Sequence, residues 1–160
     1  MYSNGKTEQI TDFKSDSRSP QLNDKNQMVW QGHDGNDTEI FLYSDGKITQ
    51  ITHTALHEES PQINNKGQIV WEAYDGHDSE IYHYDGDIIT PITNNDIDDS
   101  SPKINDNGQI YWITKNWVGN DWQHKNVFMV EPKQPDSSAG KVFGEGMIAV
   151  SETKQTSTDS

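Results

Sequence analysis

Apolar residues along this chain come in short runs and never in long ones. "QMVWQ" (27–31), "EIFLY" (39–43), "QIVWE" (68–72), "EIYHY" (80–84) and "QIYWI" (109–113) each have Asn, Asp or Gly within three residues on either side. Runs of this length, rich in β-branched and aromatic residues, predict short strands, and the 3.6-residue period of a helix is nowhere present. Each "Q-V-W"-type run predicts a strand buried on both faces. Before it stands "PQL" or "PQI", read as a strand that opens on its proline, because proline begins strands more readily than it sits inside them. The turns between them are Asp24-Lys25-Asn26, Asn65-Lys66-Gly67 and Asp106-Asn107-Gly108. All are rich in residues that tolerate positive φ. After Asp45-Gly46 and Asp85-Gly86 come "KITQIT" and "IITPIT", the last strand of each set.

The sets repeat. Ile10-Thr11, Ile51-Thr52 and Ile92-Thr93 are 41 residues apart, as are Ser19-Pro20, Ser60-Pro61 and Ser101-Pro102, and as are Trp30, Trp71 and Trp112. Asn23, Asn64 and Asn105 keep the same step, and so do Gln27, Gln68 and Gln109. A period near 40 residues holding four strands predicts an all-β chain of β-propeller blades, each of four antiparallel strands. Such units stack because one alone cannot bury both faces.

"SPQINNKGQIVWEAYDGHDSEIYHYDG" (60–86), preceded by Ile51-Thr52 and followed by "ITPIT" (89–93), resembles the TolB-type propeller repeat. That pattern has an Ile-Thr or Leu-Thr pair, a Ser-Pro, a tight turn, an apolar strand, a Gly-containing loop and an Ile-Tyr strand. Trp replaces the more usual Phe, and Asn64-Asn65-Lys66-Gly67 replaces the usual Ser-Pro-Asp-Gly. The resemblance covers residues 2–131 and implies a bacterial, periplasmic or extracellular setting. Fold alone does not assign function.

Three units are expected, 2–42, 43–83 and 84–131, followed by a linker at 132–139, a degenerate partial blade or cap at 140–151, and a disordered tail at 152–160. The match of "YSNGKTEQIT" (2–11) to "YSDGKITQIT" (43–52) means that the chain enters within a blade, ahead of its last strand. The third unit lacks that strand. Propellers have four to eight blades, which leaves three expectations. The chain is part of a longer propeller, or a homodimer completes a six-bladed ring, or residues 140–151 cap an open arc.

Composition narrows the partners. Net charge is -14, with 12 Lys and Arg against 26 Asp and Glu. That balance disfavours nucleic acid, which needs clustered cations, and anionic membrane surfaces. No apolar run reaches the roughly 18 residues of a membrane span. Hydrophobic residues make up only 30%, yet the recurring aromatics argue for a folded chain with thin apolar layers rather than disorder. Residues 1–11 show neither the basic nor the apolar region of a secretion signal. With no cysteine there is no disulfide or thiolate site.

Two features invite chemistry. Asp34, Asp37 and Glu39 recur as Asp75, Asp78 and Glu80 and could supply oxygens to calcium, the one cofactor the sequence allows. Their spacing lacks the ligand count of an EF-hand, and Asp and Gly are favoured in such loops for backbone reasons alone. The third unit is longer here: Trp112 to Val127 is 15 positions where Trp71 to Ile81 is 10. Its enlarged loop adds Trp117, Trp122 and His124, the candidate contacts for a protein or glycan partner, since loop Trp is an amphipathic contact surface. The plainer reading is that these rings cover the last blade. His33, His53, His57, His77, His83 and His124 fall at non-repeating positions, and no nucleophile elbow or phosphate loop is present. The expectation is a non-catalytic binding or scaffold module. The alternatives are an accessory propeller of a secreted carbohydrate-active lyase or hydrolase, whose catalytic residues lie elsewhere, and a calcium-stabilised repeat protein.

Overall fold

A computed structural model describes the backbone of residues 2–3, 5–11, 16–118 and 121–130, and the side chains of these except 2–3, 6, 116–118 and 121–125. The expected linker, cap and tail at 132–160 lie outside the described residues. A small hairpin, β1 (Tyr2–Ser3) and β2 (Lys6–Thr7), precedes three antiparallel sheets. Blade 1 holds β3 (Ser17–Leu22), β4 (Met28–His33), β5 (Thr38–Ser44) and β6 (Lys47–Gln50) in that order. Blade 2 repeats it with β7 (His57–Ile63), β8 (Ile69–Tyr74), β9 (Ser79–Tyr84) and β10 (Ile89–Pro91). Blade 3 has β11 (Asp98–Ile104), β12 (Ile110–Val118) and β13 (Asp121–Val130). No helix occurs among the described residues.

The first strand of each blade does not open on its proline. It starts three or four residues earlier, and the Ser-Pro pair forms a bulge within it, between Arg18 and Gln21, Glu59 and Gln62, and Ser100 and Lys103. Ser19, Ser60 and Ser101 take φ of 52°, 56° and 57°, so the chain kinks and the proline falls where no ladder donor is needed. The kink points the serine N–H at the preceding blade. Ser60 N–H donates to Gln31 Oε1 at 3.0 Å, and Ser101 N–H to Glu72 Oε2 at 2.6 Å.

Alternation along the middle strands gives each blade two apolar faces. Ile69, Trp71 and Ala73 of β8 pack on Val29 and Ile40 of blade 1. Val70 and Ile81 face the other way, onto Ile110 and Trp112 of blade 3. The repeating tryptophans are core, with 4%, 1% and 4% exposure for Trp30, Trp71 and Trp112. Each stacks on its cross-strand partner: Trp30 on Phe41, Trp71 on Tyr82 and Trp112 on Phe128, with ring centres 5.8–6.0 Å apart. Pairs of this kind add about 0.5–1.5 kcal/mol beyond their burial.

The repeating turn asparagines are a polar seam. Asn23 Nδ2 donates to Asn64 O, and Asn64 Nδ2 to Asn105 O, both at 2.9 Å and both spanning one 41-residue step. Asn65 Nδ2 bridges Asp24 Oδ2 and Asp106 Oδ2 at 2.7 and 2.9 Å. The period that is visible as spelling is thus a hydrogen-bond ladder between equivalent residues.

Candidate functional site

The acidic loops join β4 to β5 and β8 to β9. Asp34 Oδ1 accepts the backbone N–H of Asn36 at 2.8 Å, and Asp75 Oδ1 that of His77 at 2.8 Å. These bonds hold both carboxyls below the usual range. In each loop the first aspartate therefore shapes its own turn.

Glu39 and Glu80 are not loop residues. Both lie in strands and are 1% and 6% exposed. Burial raises both above the ordinary carboxyl value. Glu39 Oε1 accepts the N–H of Thr54 at 3.1 Å, and Glu80 Oε1 that of Asn95. Their second oxygens, and Asp78 Oδ2, are buried without a hydrogen-bond partner.

Of the two expected metal triads, one is compact. Ligand oxygens of Asp34, Asp37 and Glu39 lie within 4.8 Å of one another. Asp75, Asp78 and Glu80 do not make the matching group; Asp78 instead gathers with His77 and Asp96. Asp75 and Glu80 make the same turn and strand bonds as Asp34 and Glu39, so the difference lies in Asp78, whose carboxyl gathers with His77 and Asp96 instead.

Sequence reasoning passed over the inner half of this region. Glu58 and Asp99 are 1% and 0% exposed and occupy equivalent positions in the two seams. Thr54 Oγ1 donates to Glu58 Oε1 at 2.6 Å, whereas Asn95 Nδ2 donates to Asp99 Oδ2 at 2.8 Å and Trp112 Nε1 to Asp99 Oδ1 at 3.0 Å. Thr114 Oγ1 donates to that same Asp99 oxygen. The 41-residue step from Glu58 to Asp99, and from Thr54 to Asn95, was the available signal, hidden because the residue types differ.

The enlarged loop of the third unit is a hairpin, not a loop. β12 and β13 run nine and ten residues, against six each for β8 and β9, and pair as far as Val118 with Asp121. Ile113, Thr114, Trp117 and Val118 suit an extended, pleated path better than a loop. Three further residues at about 3.4 Å each carry the tip roughly 10 Å past its counterparts. Trp117 and Trp122 are register partners there, past an irregularity after Asn116, and Asn116 stands opposite His124. The sequence-singled residues Trp117, Trp122 and His124 are thus brought together on one ladder.

Neither a scan against protein-family models nor a search of curated protein sequences gives a match. Solved structures do. A protein assigned as TolB from Agrobacterium tumefaciens superposes with a TM-score of 0.57 at 15% identity, over 76% of this chain and 47% of that one. TolB from Acinetobacter baumannii gives a TM-score of 0.59 at 19% identity, over 81% of this chain and 36% of that one. The chain spans less than half the length of either. At these identities the likeness concerns architecture, and it agrees with the blade order above. The chain folds as blades of a TolB-like β-propeller.

Proposed function

We propose that the chain is a non-catalytic binding module that presents the tip of the β12–β13 hairpin to a protein or glycan partner. One observation carries this reading: the hairpin outgrows its two counterparts, and the growth adds a pair of tryptophans as register partners at its tip. Tryptophan offers a large, flat, amphipathic surface of the kind that anchors interfaces. The acidic charge fits neutral or cationic partners and opposes polyanions. Binding of neutral polysaccharides to the purified chain, measured by affinity electrophoresis, tests the glycan form. Loss of retardation on Trp117→Ala with Trp122→Ala supports it; retention unchanged by both substitutions overturns the hairpin as the site. An accessory role beside a carbohydrate-active enzyme would use the same surface.

A second reading has its own support. The compact Asp34, Asp37 and Glu39 group, with a buried Glu39 oxygen lacking a partner, suits a hard cation such as calcium. Calcium added after chelation raises the melting temperature if the group binds it, since a ligand held only by the folded state stabilises it. A melt unchanged by calcium, or a rise that survives Asp37→Asn, removes this reading.

A further inference from the structure

The two ends of the array carry the two halves of one seam. Within the chain, a face bearing Val29 and Ile40, or Val70 and Ile81, meets a face bearing the next blade's tryptophan. All four of those aliphatic residues are 0% exposed. In blade 3 the same positions are Tyr111 and Val127, exposed to 43% and 72%, with Met129 beside them at 58%. At the other end Trp30 is already covered, at 4% exposure, but the β3 side of blade 1 is open: Leu22 is 60% exposed and Pro20 is exposed, although their equivalents Ile63 and Ile104 pack against a neighbouring blade and Pro61 and Pro102 are buried. The surfaces left open are thus complementary in kind, and a second copy of the chain offers both.

Backbone groups repeat the message. Ile51 N–H donates to Ile40 O at 2.7 Å, while Thr52 Oγ1 accepts the N–H of Ile40 at 2.8 Å. Ile92 and Thr93 do the same for Ile81, at 2.7 and 2.8 Å. Val127 is the third member of that set, on the outer edge of β13, where blades 1 and 2 carry β6 and β10. The remaining Ile-Thr pair is Ile10-Thr11. Its local shape already matches that of its counterparts, since Gln9 Nε2 donates to Thr11 O at 2.6 Å, as Gln50 Nε2 donates to Thr52 O at 2.9 Å.

We propose that two copies of this chain close into a six-bladed ring, in which Gln9–Thr11 and the open β3 side of blade 1 of each protomer dock on the β13 edge and the outer face of blade 3 of its partner. Two heterologous contacts related by a two-fold axis close the ring, and six blades lie within the range that propellers use. The asparagine ladder continues in register, Asn105 Nδ2 toward the partner's turn carbonyl at Asn23. Two departures make this outer seam weaker than the inner ones. Ile113 stands where Gln31 and Glu72 accept the bulge N–H. Asp24 meets Asp106, where the inner turns place Asn65 between two aspartates.

Sedimentation equilibrium of the full chain across a dilution series tests the pairing, with 18.2 kDa for one copy and twice that for the ring. The expected result is a reversible dimer that Val127→Arg abolishes and that Thr11→Val weakens roughly thirtyfold, the loss of one hydrogen bond at each of the two seams. Asp24→Asn tightens it, since an amide then faces Asp106. Because Val127 is exposed, the arginine variant keeps its melting curve under dilute conditions; Tyr111→Lys on the same face serves if it does not. Mixing Thr11→Cys chains with Val127→Cys chains yields an oxidised hetero-pair, which only contact between copies can give. A single-copy mass at every concentration overturns the proposal, whether the face is free, covered by residues 140–151 or meant for another protein. Growth beyond two copies overturns it as well, as does a dimer indifferent to Val127→Arg.

Discussion

The seam between blades 1 and 2 and the seam between blades 2 and 3 bury the same kind of group among two different sets of donors. Asp99 receives three side-chain donors, from Asn95, Trp112 and Thr114. Glu58, one step earlier in the period, receives one, from Thr54, and its second oxygen has no partner. Burial, reinforced by the neighbouring Glu39 carboxyl, pushes the Glu58 carboxyl up to about 7 against that single bond. The lesson is that a repeat keeps the location of a buried acid without keeping its hydrogen-bond donors. At Glu58 one donor does not offset burial, and the neutral acid is favoured.

The largest effect comes from removing the well-served partner. Asp99→Ala leaves the Trp112 indole N–H, the Thr114 hydroxyl and the Asn95 amide without their acceptor. Asn95 is exposed and can turn to water, but Trp112 is buried and Thr114 half-buried; at about 1–3 kcal/mol for each group left unpaired, a total loss of roughly 2–6 kcal/mol is expected by urea unfolding. The same substitution at Glu58 costs far less at pH 8, because it also removes an uncomfortable anion. Equal losses at the two positions would break the contrast.

Glu58→Gln comes next and carries a pH signature. The unfolded glutamate titrates near 4.5, and the folded one at about 7. Between those values the folded chain holds the extra proton, so stability falls as pH rises through the window, and this one group's contribution is fully lost above it. The span corresponds to roughly 3 kcal/mol at pH 8. Glutamine escapes that loss. The variant is expected to be more stable than the parent at pH 8 by up to about this amount, with the gain fading toward pH 5. Thermal melts at several pH values read it directly. A gain independent of pH would mean that Glu58 is not the group that titrates.

Architecture was legible in the chain because period, turn chemistry and aromatic placement all point to one answer. Trp30, Trp71 and Trp112 announce the apolar layers, and Asn23, Asn64 and Asn105 the turns. Three things were not legible, each for a physical reason. The Ser-Pro bulge was hidden because proline's usual place is a strand start, and only the left-handed serine reveals the kink. The growth of the third unit read as a loop, since Gly119-Asn120-Asp121 repeats the turn residues of Gly35-Asn36-Asp37 while the pairing that absorbs the added residues is a tertiary fact. Glu58 and Asp99 were lost among 26 acidic residues, because composition cannot say which carboxylates are dry.

The smallest effect should follow from making one seam resemble the other. Ala73 occupies the position of Thr114, and beside it lies a cavity of about 40 Å³ lined by Thr54, Leu56, Glu58, Trp71 and Tyr82 among others. That is room for a water-sized group. Ala73→Thr places a hydroxyl there, the donor that Asp99 has and Glu58 lacks. A bond to a charged acceptor contributes about 1.5–3 kcal/mol, offset by the fit of a β-branched side chain in a packed layer. A net gain near 1 kcal/mol at pH 8 is expected, shrinking as Glu58 takes its proton. The sharper readout is the titration itself. The pH midpoint of the stability change should move below about 7, toward the ordinary carboxyl value, as the new donor favours the anion. A midpoint that stays in place would mean that burial alone sets the state of Glu58, and that a hydroxyl at position 73 does not serve it as a donor.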